Sequence, residues 1–319
     1  MDGSIGTLIK NKNFSLFLLK SINNAWGINH SDNIFPGPQP VSIEKKDFEK
    51  LEKFTYYTSV KNNGTRYIMF FIKDKNNKQQ TILVNRALQC FTINMYANDE
   101  LFNGTIFDGE LIMHNNEWVF IIHDSVMICG SKINRNKFSE RLEDIQCCLS
   151  NFNITGSIKI ELKKFYLFSD FENFLNNEYN TSKYEHDGII FMPETLPVIS
   201  GTQYSMFKWK PVEEHTIDFL MKKNNDDIEC YVFNMGKLII FSKIHYETEE
   251  GKKFIETTQS LKNYNVECIV ECKFIDNKFI PVLVRTDKNH ANSLRTVERT
   301  LFNINENINI DNFQNILKT

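Results

Sequence analysis

Ser59-Val60-Lys61-Asn62-Asn63-Gly64-Thr65-Arg66 is the stretch whose reading decides the rest of the chain. Lys61 stands at the end of a strand-like run. Asn62-Asn63-Gly64 after it is a turn signal, because Asn and Gly tolerate positive φ. Arg66 then opens Tyr67-Ile68-Met69-Phe70-Phe71-Ile72, apolar at almost every position and so read as a strand buried on both faces. A lysine at such a strand mouth can lose water and have its pKa lowered, which a nucleophilic amine needs. On its own a strand-end lysine is most often a solvated surface residue. Four later stretches change that reading.

The 319 residues suggest about two domains, and a 41% hydrophobic composition can bury a substantial core. The formal net charge of -3 excludes a global positive field for nucleic acid, so a polyanion must be met by local basic groups. The seven cysteines show no repeated Cys-x2-Cys spacing, which argues against a zinc site. All seven are expected to be reduced core residues of an intracellular protein. No signal peptide or membrane span is read.

Residues 1–34 are expected to form a short strand or a helix pair. Phe35 to Ser42, rich in proline, reads as a rigid turn-forming segment, with Ser42 as the N-cap of a helix ending near Lys53. Residues 55–127 read as strands, with polar residues at their ends: Arg66, Arg86, Glu110 and His123. Asp108-Gly109 fits an ordinary hairpin turn, although Glu110 then runs directly into an apolar strand. Phe138, Arg141, Leu142, Ile145, Cys148 and Leu149 recur with a 3.6 period, so 137–150 is an amphipathic helix. Ser157 to Leu162 is a strand ending at Lys163-Lys164, and Ser169 caps a short helix through Leu175. His186-Asp187-Gly188 leads into the buried strand Ile189 to Met192. Met206 to Pro211 alternates, placing Lys208 and Lys210 on one face of a strand. Past 212, five short strands near 215–221, 227–233, 237–244, 266–275 and 278–285 suggest a small barrel, with the five-stranded OB-fold the natural candidate. Helices through 292–302 and around Ile310, Phe313, Ile316 and Leu317 close the chain.

The ordered set Lys61…Gly64…Arg66, Asp108-Gly109-Glu110, Asp187-Gly188, Lys208-x-Lys210 and Arg285-x-Asp287-Lys288 resembles the covalent nucleotidyltransferase superfamily of mRNA capping enzymes and ATP-dependent ligases. Phe35-Pro-Gly-Pro-Gln-Pro-Val-Ser and Arg285-Thr-Asp-Lys-Asn-His-Ala-Asn look like segments of capping guanylyltransferases, closest to the compact chlorella virus type. The resemblance runs from about residue 35 to the C-terminus. It implies an α+β protein: a ligase-type (ATP-grasp-like) nucleotidyltransferase domain with antiparallel sheets over 1–211, and an OB-fold β-barrel lid over 212–303. A C-terminal helix, 304–319, would pack back on the first domain.

The implied chemistry transfers GMP from GTP to Lys61 and then to the 5′-diphosphate end of RNA, forming a GpppN cap. An ammonium of pKa ~10.4 cannot attack. The cations of Arg66, Lys208 and Lys210 would favour the neutral amine, while bound phosphate opposes them. By resemblance, Lys208 and Lys210 stabilise the α-phosphate, and Asp187 helps hold a divalent metal, Mg²⁺ or Mn²⁺. Arg86 and Glu110 take the ribose hydroxyls, and Lys163, within one residue, takes the guanine O6. Arg285 and Lys288 of the lid take the β- and γ-phosphates. Asp218 belongs to the catalytic set, and Asp287 to the nucleotide-binding set. Three positions depart from the family pattern. Asn63 stands for the motif aspartate, His123 for an aromatic that stacks on guanine, and Thr202 for a phosphate-directed arginine. An ATP-dependent polynucleotide ligase is the alternative enzyme, and a non-catalytic homologue binding RNA 5′ ends or a partner is the third reading, supported by Asn63. A separate RNA triphosphatase and guanine-N7 methyltransferase are expected as partners, with the chain itself a monomer acting in a cytoplasmic viral factory or a nucleus.

Overall fold

The computed structural model describes residues 5–28, 35–195, 198–224, 227–258, 267–286 and 288–318. The protein is α+β, with largely antiparallel sheets. It divides into two compact units, Met1–Trp209 with Gln314–Thr319, and Lys210–Phe313. The division after Trp209 falls two residues before the expected boundary at Pro211.

In the N-terminal unit the strand carrying Lys61, Tyr56–Asn62, lies between Tyr166–Leu167 and His186–Pro193 in a five-stranded sheet. Gly201–Trp209 and Pro38–Ser42 complete it. The strand carrying Arg66, Thr65–Lys73, belongs to a different, eight-stranded sheet, between Gln79–Asn85 and Thr105–His114. Asn63-Gly64 therefore carries the chain from one sheet to the other. The apolar run after Arg66 is covered on both faces, as read. Met69 and Phe71 pack with Ile145 and Cys148 of the helix Phe138–Asn151. Ile68 and Phe70 pack with Leu18, Ile22 and Trp26 of the helix Lys12–Trp26. That helix, with the short strand Thr7–Leu8, is the order found where a strand or helix pair was expected.

Several local readings are corrected. Pro38–Ser42 is an edge strand paired in parallel with Gly201–Trp209, not a turn segment. An edge strand tolerates proline because one side of its backbone needs no ladder donors. Ser42 ends this strand and caps nothing. The following helical turn, Lys45–Asp47 before Phe48–Lys53, is capped by the reciprocal side chains of Glu44 and Asp47. Asp108-Gly109 is not a turn: it lies inside the continuous strand Thr105–His114. His123 likewise lies inside Glu117–Ile128. Ser169 falls within a 3-10 turn, Phe168–Asp170, rather than at a helix cap. Lys208 is in Gly201–Trp209, but Lys210 lies beyond the end of that strand.

The C-terminal unit is a five-stranded antiparallel sheet, in the order Lys237–His245, Asp227–Asn234, Thr216–Asn224, Cys268–Ile275, Lys278–Val284, so its first strand is central and its fourth pairs back onto the first. A helix missed by the sequence reading, Glu249–Thr258, lies between its third and fourth strands in chain order. Phe219, Met221, Cys230, Val270 and Cys272 form its core with Val297 of the helix Leu294–Glu306. Burial pushes the Cys230 thiol up to about 12, so it acts as a small apolar residue. The cysteines are all unpaired, but Cys147 is exposed on its helix rather than in the core.

Arg141, on the apolar face of Phe138–Asn151, is buried and grips Asp124 with two hydrogen bonds, of 2.7 and 2.9 Å. Its third contact is the carbonyl of Asn136 at 2.7 Å. Leaving one buried charge without the other costs about 3–5 kcal/mol. Arg141→Leu should lower the urea-unfolding free energy of the N-terminal unit by about that amount. The double variant Arg141→Leu with Asp124→Leu should recover most of the loss in the same titration.

Candidate active site

Three side-chain groups cluster around the crossing between the two sheets of the N-terminal unit. In the first, Lys61 Nζ donates to Asp187 Oδ1 at 2.7 Å. The lysine side chain keeps 24% of its surface, so the amine is screened but reachable. Asp187 owes its direction to a register shift between His186 and Ile189, where the strand His186–Pro193 bulges against Tyr56–Asn62. Bulges re-aim side chains in this way.

The second group is a buried cage around Arg66. Its Nε and Nη2 donate to the two oxygens of Asp108 at 2.9 and 2.5 Å, and its Nη1 donates to the carbonyl of Pro38 at 2.5 Å. The guanidinium lies over the Phe35 ring at 5.4 Å. A side chain at Gly37 would strike the same guanidinium. The proline-rich segment is thus tied to the Arg66 strand through one cation. His123 Nε2 lies 3.2 Å from Asp108 Oδ1. It is the extra residue of a bulge, since Asp108 pairs with Asp124 and Gly109 with Ile122. Burial alone would raise the Asp108 carboxyl; Arg66 and His123 beside it hold it well below the usual carboxylate range. Glu110 sits opposite Arg66 in the strand register. Gly109 is required there because a Cβ would lie 2.6 Å from the Ile121 carbonyl oxygen and from the Phe120 ring.

The third group joins Lys163 to Asn62. Lys163 is buried and donates from Nζ to Asn62 Oδ1 at 2.5 Å. Burial pushes its ammonium down to about 8, against the pull of Glu110 and Glu178, and Lys61 nearby adds to the depression. Asn62 was read only as part of a turn. It is the last residue of its strand and is buried. A single strand-end asparagine carries no sequence signal that separates this from a turn.

The remaining expected residues are placed as follows. Asn63 is exposed, with its backbone N–H donating to the Glu185 carbonyl at 3.0 Å. Arg86 is exposed, one residue past Gln79–Asn85. Lys208 lies opposite Ile190 and Ser42 on the neighbouring strands, and Thr202 is exposed at the start of the same strand. Asp108 matches the charge of Arg66, so this cation does not favour a neutral Lys61 as expected. In the C-terminal unit, Asp218 is buried and accepts from Lys288 and, at 3.4 Å, from Arg285 Nη1. Arg285 also donates to Glu271 at 2.9 Å. Asn292 fastens Asp218 on both backbone groups, each at 2.8 Å. Asp287 lies outside the described residues. The described residues hold no group of three or more metal-ligating side chains. No helix among the described residues is long and apolar enough to cross a membrane.

The family model of the mRNA capping enzyme catalytic domain matches residues 4–212, and that of the mRNA capping enzyme C-terminal domain matches residues 206–313. The mRNA-capping enzyme subunit alpha of Schizosaccharomyces pombe is 26% identical over 322 residues, covering 87% of this chain and 78% of its own. That of Neurospora crassa is 27% identical over 332 residues, covering 86% and 82%. The mRNA-capping enzyme of Danio rerio is 26% identical over 287 residues, covering 82% of this chain and 46% of its own. Among solved structures, a mycobacterial DNA ligase D complexed with ATP and MES aligns over 81% of this chain and 97% of its own, with a TM-score of 0.46 at 10% identity. That likeness is too loose to speak for ligation. With both domain models matched in order along the length that carries Lys61, Asp187 and Arg285, this chain belongs to the mRNA capping enzyme family.

Proposed function

We propose that this chain is an mRNA guanylyltransferase working through a lysyl-GMP on Lys61. The observation that carries the reading is the Lys61–Asp187 pair, a screened amine and a carboxylate at 2.7 Å, inside the matched catalytic domain. GTP is the substrate. Lys61 Nζ attacks the α-phosphorus, the P–N bond forms, and the bond to the β-phosphate oxygen breaks to release pyrophosphate. Asp187, which already accepts a hydrogen bond from Nζ, is assigned to take the proton that Nζ loses. In the second step an oxygen of the 5′-diphosphate RNA end attacks the same phosphorus. The P–N bond breaks, and the proton returns to the lysine as GpppN leaves.

Lys208 and Lys210 are assigned to charge on the α-phosphate, Arg86 and Glu110 to the ribose hydroxyls, Lys163 to guanine O6, and His123 to the face of the base. Arg66, buried and making three hydrogen bonds, is assigned as a positioning residue that joins Asp108, and through it His123, to the Pro38 segment. The C-terminal unit contributes Arg285 and Lys288 to the β- and γ-phosphates, with Asp218 and Asp287 in the same set. Asp187 would hold a divalent metal, Mg²⁺ or Mn²⁺, which supplies charge neutralisation of the phosphates. Relatives named as a subunit alpha support separate partner proteins, a triphosphatase and an N7 methyltransferase. Asn63 leaves the turn intact and removes one charge. Asp187 remains on Lys61, which favours activity over the non-catalytic reading.

Incubation with α-³²P-GTP and a divalent metal, followed by a denaturing gel, tests the reading. A band stable to alkali and released by acid is expected, absent in Lys61→Ala and reduced on the order of a hundredfold in Asp187→Asn. Label from ATP in place of GTP would move the chain to the ligase reading, and no label from either would sink the enzyme reading. A second outcome concerns pH. Lys163 loses its proton as pH rises through about 8, which removes a charge-assisted hydrogen bond to the base. The KM for GTP should therefore rise between pH 7 and 9, and Lys163→Met should flatten that profile.

A further inference from the structure

Glu271 is an acid of the C-terminal unit to which the proposed chemistry gives no role. It is the register partner of Asp218: the two face each other across the strands Cys268–Ile275 and Thr216–Asn224. Like charges directly opposite on neighbouring strands repel. The arrangement holds because Arg285 serves both acids from one nitrogen. Its Nη1 donates to Glu271 Oε2 at 2.9 Å and to Asp218 Oδ1 at 3.4 Å. The two acids are not held alike. The Asp218 side chain keeps 7% of its surface and also meets Lys288, and Asn292 fastens its backbone on both sides at 2.8 Å. The Glu271 side chain keeps 18% and, among the described residues, pairs with Arg285 and no other cation. A guanidinium grips a carboxylate most firmly through two parallel bonds, and Glu271 receives one.

We propose that Glu271 is an autoinhibitory counter-ion, which occupies Arg285 in the unliganded C-terminal unit and is displaced when a diphosphate group takes that guanidinium. The inference rests on the assignment of Arg285 to the β- and γ-phosphates and adds the acid that competes with them. A phosphate oxygen and Glu271 offer the guanidinium the same thing, an anionic acceptor, so binding is an exchange and not an addition. As Arg285 leaves, the repulsion between Asp218 and Glu271 returns and opposes the incoming anion. The same acid takes Arg285 back when pyrophosphate is the product, which favours its departure. Asp218, anchored by Asn292 and shared with Lys288, keeps the cations in place. Glu271 sets how readily one of them is given up.

Inorganic pyrophosphate, titrated into the full chain and followed by calorimetry, reads this exchange without requiring catalysis. Gln keeps the shape of Glu271 and removes its charge. Glu271→Gln should therefore bind pyrophosphate about fivefold tighter than the wild type, the upper worth of one partly exposed ion pair. On an Arg285→Ala background the same substitution should change nothing, because the competitor then has nothing to hold. Unchanged, weaker or absent binding in Glu271→Gln overturns the assignment. So does a gain of equal size without Arg285, which would be a general effect of charge. Lysyl-GMP formation measured alongside should show the KM for GTP falling by the same factor in Glu271→Gln. A chain that shows the fivefold gain in pyrophosphate affinity but takes no label from GTP keeps the counter-ion and loses the enzyme reading.

Discussion

The catalytic unit depends on one close approach, that of Gly64 to the strand Thr105–His114. A Cβ at Gly64 would lie 2.6 Å from Glu110 Cγ and from Ile112 Cγ2, and 2.9 Å from the Leu111 carbonyl oxygen. Real Cβ atoms do not approach backbone so closely, so the position admits only glycine. The chain can therefore leave one sheet at Asn62 and enter the other at Thr65 with no intervening loop. Lys61 then belongs to the sheet that carries Asp187, while Arg66 belongs to the sheet that carries Asp108, Glu110 and His123. A longer connection would separate the proposed nucleophile from the groups proposed to hold its substrate.

Around that crossing, charge is arranged in pairs. Arg66 meets Asp108, Arg141 meets Asp124, and Lys61 meets Asp187. The first two are buried and bidentate, and they bind segments distant in sequence into one unit. A guanidinium suits this task because its rigid fork matches a carboxylate in two bonds. The third is partly exposed and joined by a single bond, which leaves the amine able to exchange its partner for a phosphate. The C-terminal unit repeats the theme: Asp218 and Glu271 hold Arg285, and Asp218 also holds Lys288. Cations proposed to meet phosphate are thereby paired with carboxylates of their own unit.

The strand cores and the helix Phe138–Asn151 were legible because burial imposes a period on the sequence. So was the order of the short motifs, since backbone turns and charged side chains restrict residue type locally. Two of the misreadings share one cause. Asp108-Gly109 and Asn62-Asn63-Gly64 have turn chemistry in common, and local propensity cannot tell a turn from a strand residue whose carboxylate or amide meets a partner tens of residues away. Asp108 is held by Arg66 and Asn62 by Lys163, and in each case the partner decides the conformation.

By itself, the sequence determined the strand cores, the amphipathic helix Phe138–Asn151 and the order of the charged motifs, because those follow from periodicity and residue type; the resemblance those motifs carry implied the fold class and pointed to Lys61 as the candidate nucleophile. Only the tertiary structure decided which cations are engaged and which polar groups are left unmet. Arg66 reads as one more basic residue before an apolar run, yet it lies in a cage with Asp108, Pro38 and Phe35. The physical reason is that a hydrogen bond or an ion pair is defined by a few tenths of an ångström between atoms of different elements. Such distances are set by the packing of whole sheets, not by any stretch of chain read alone.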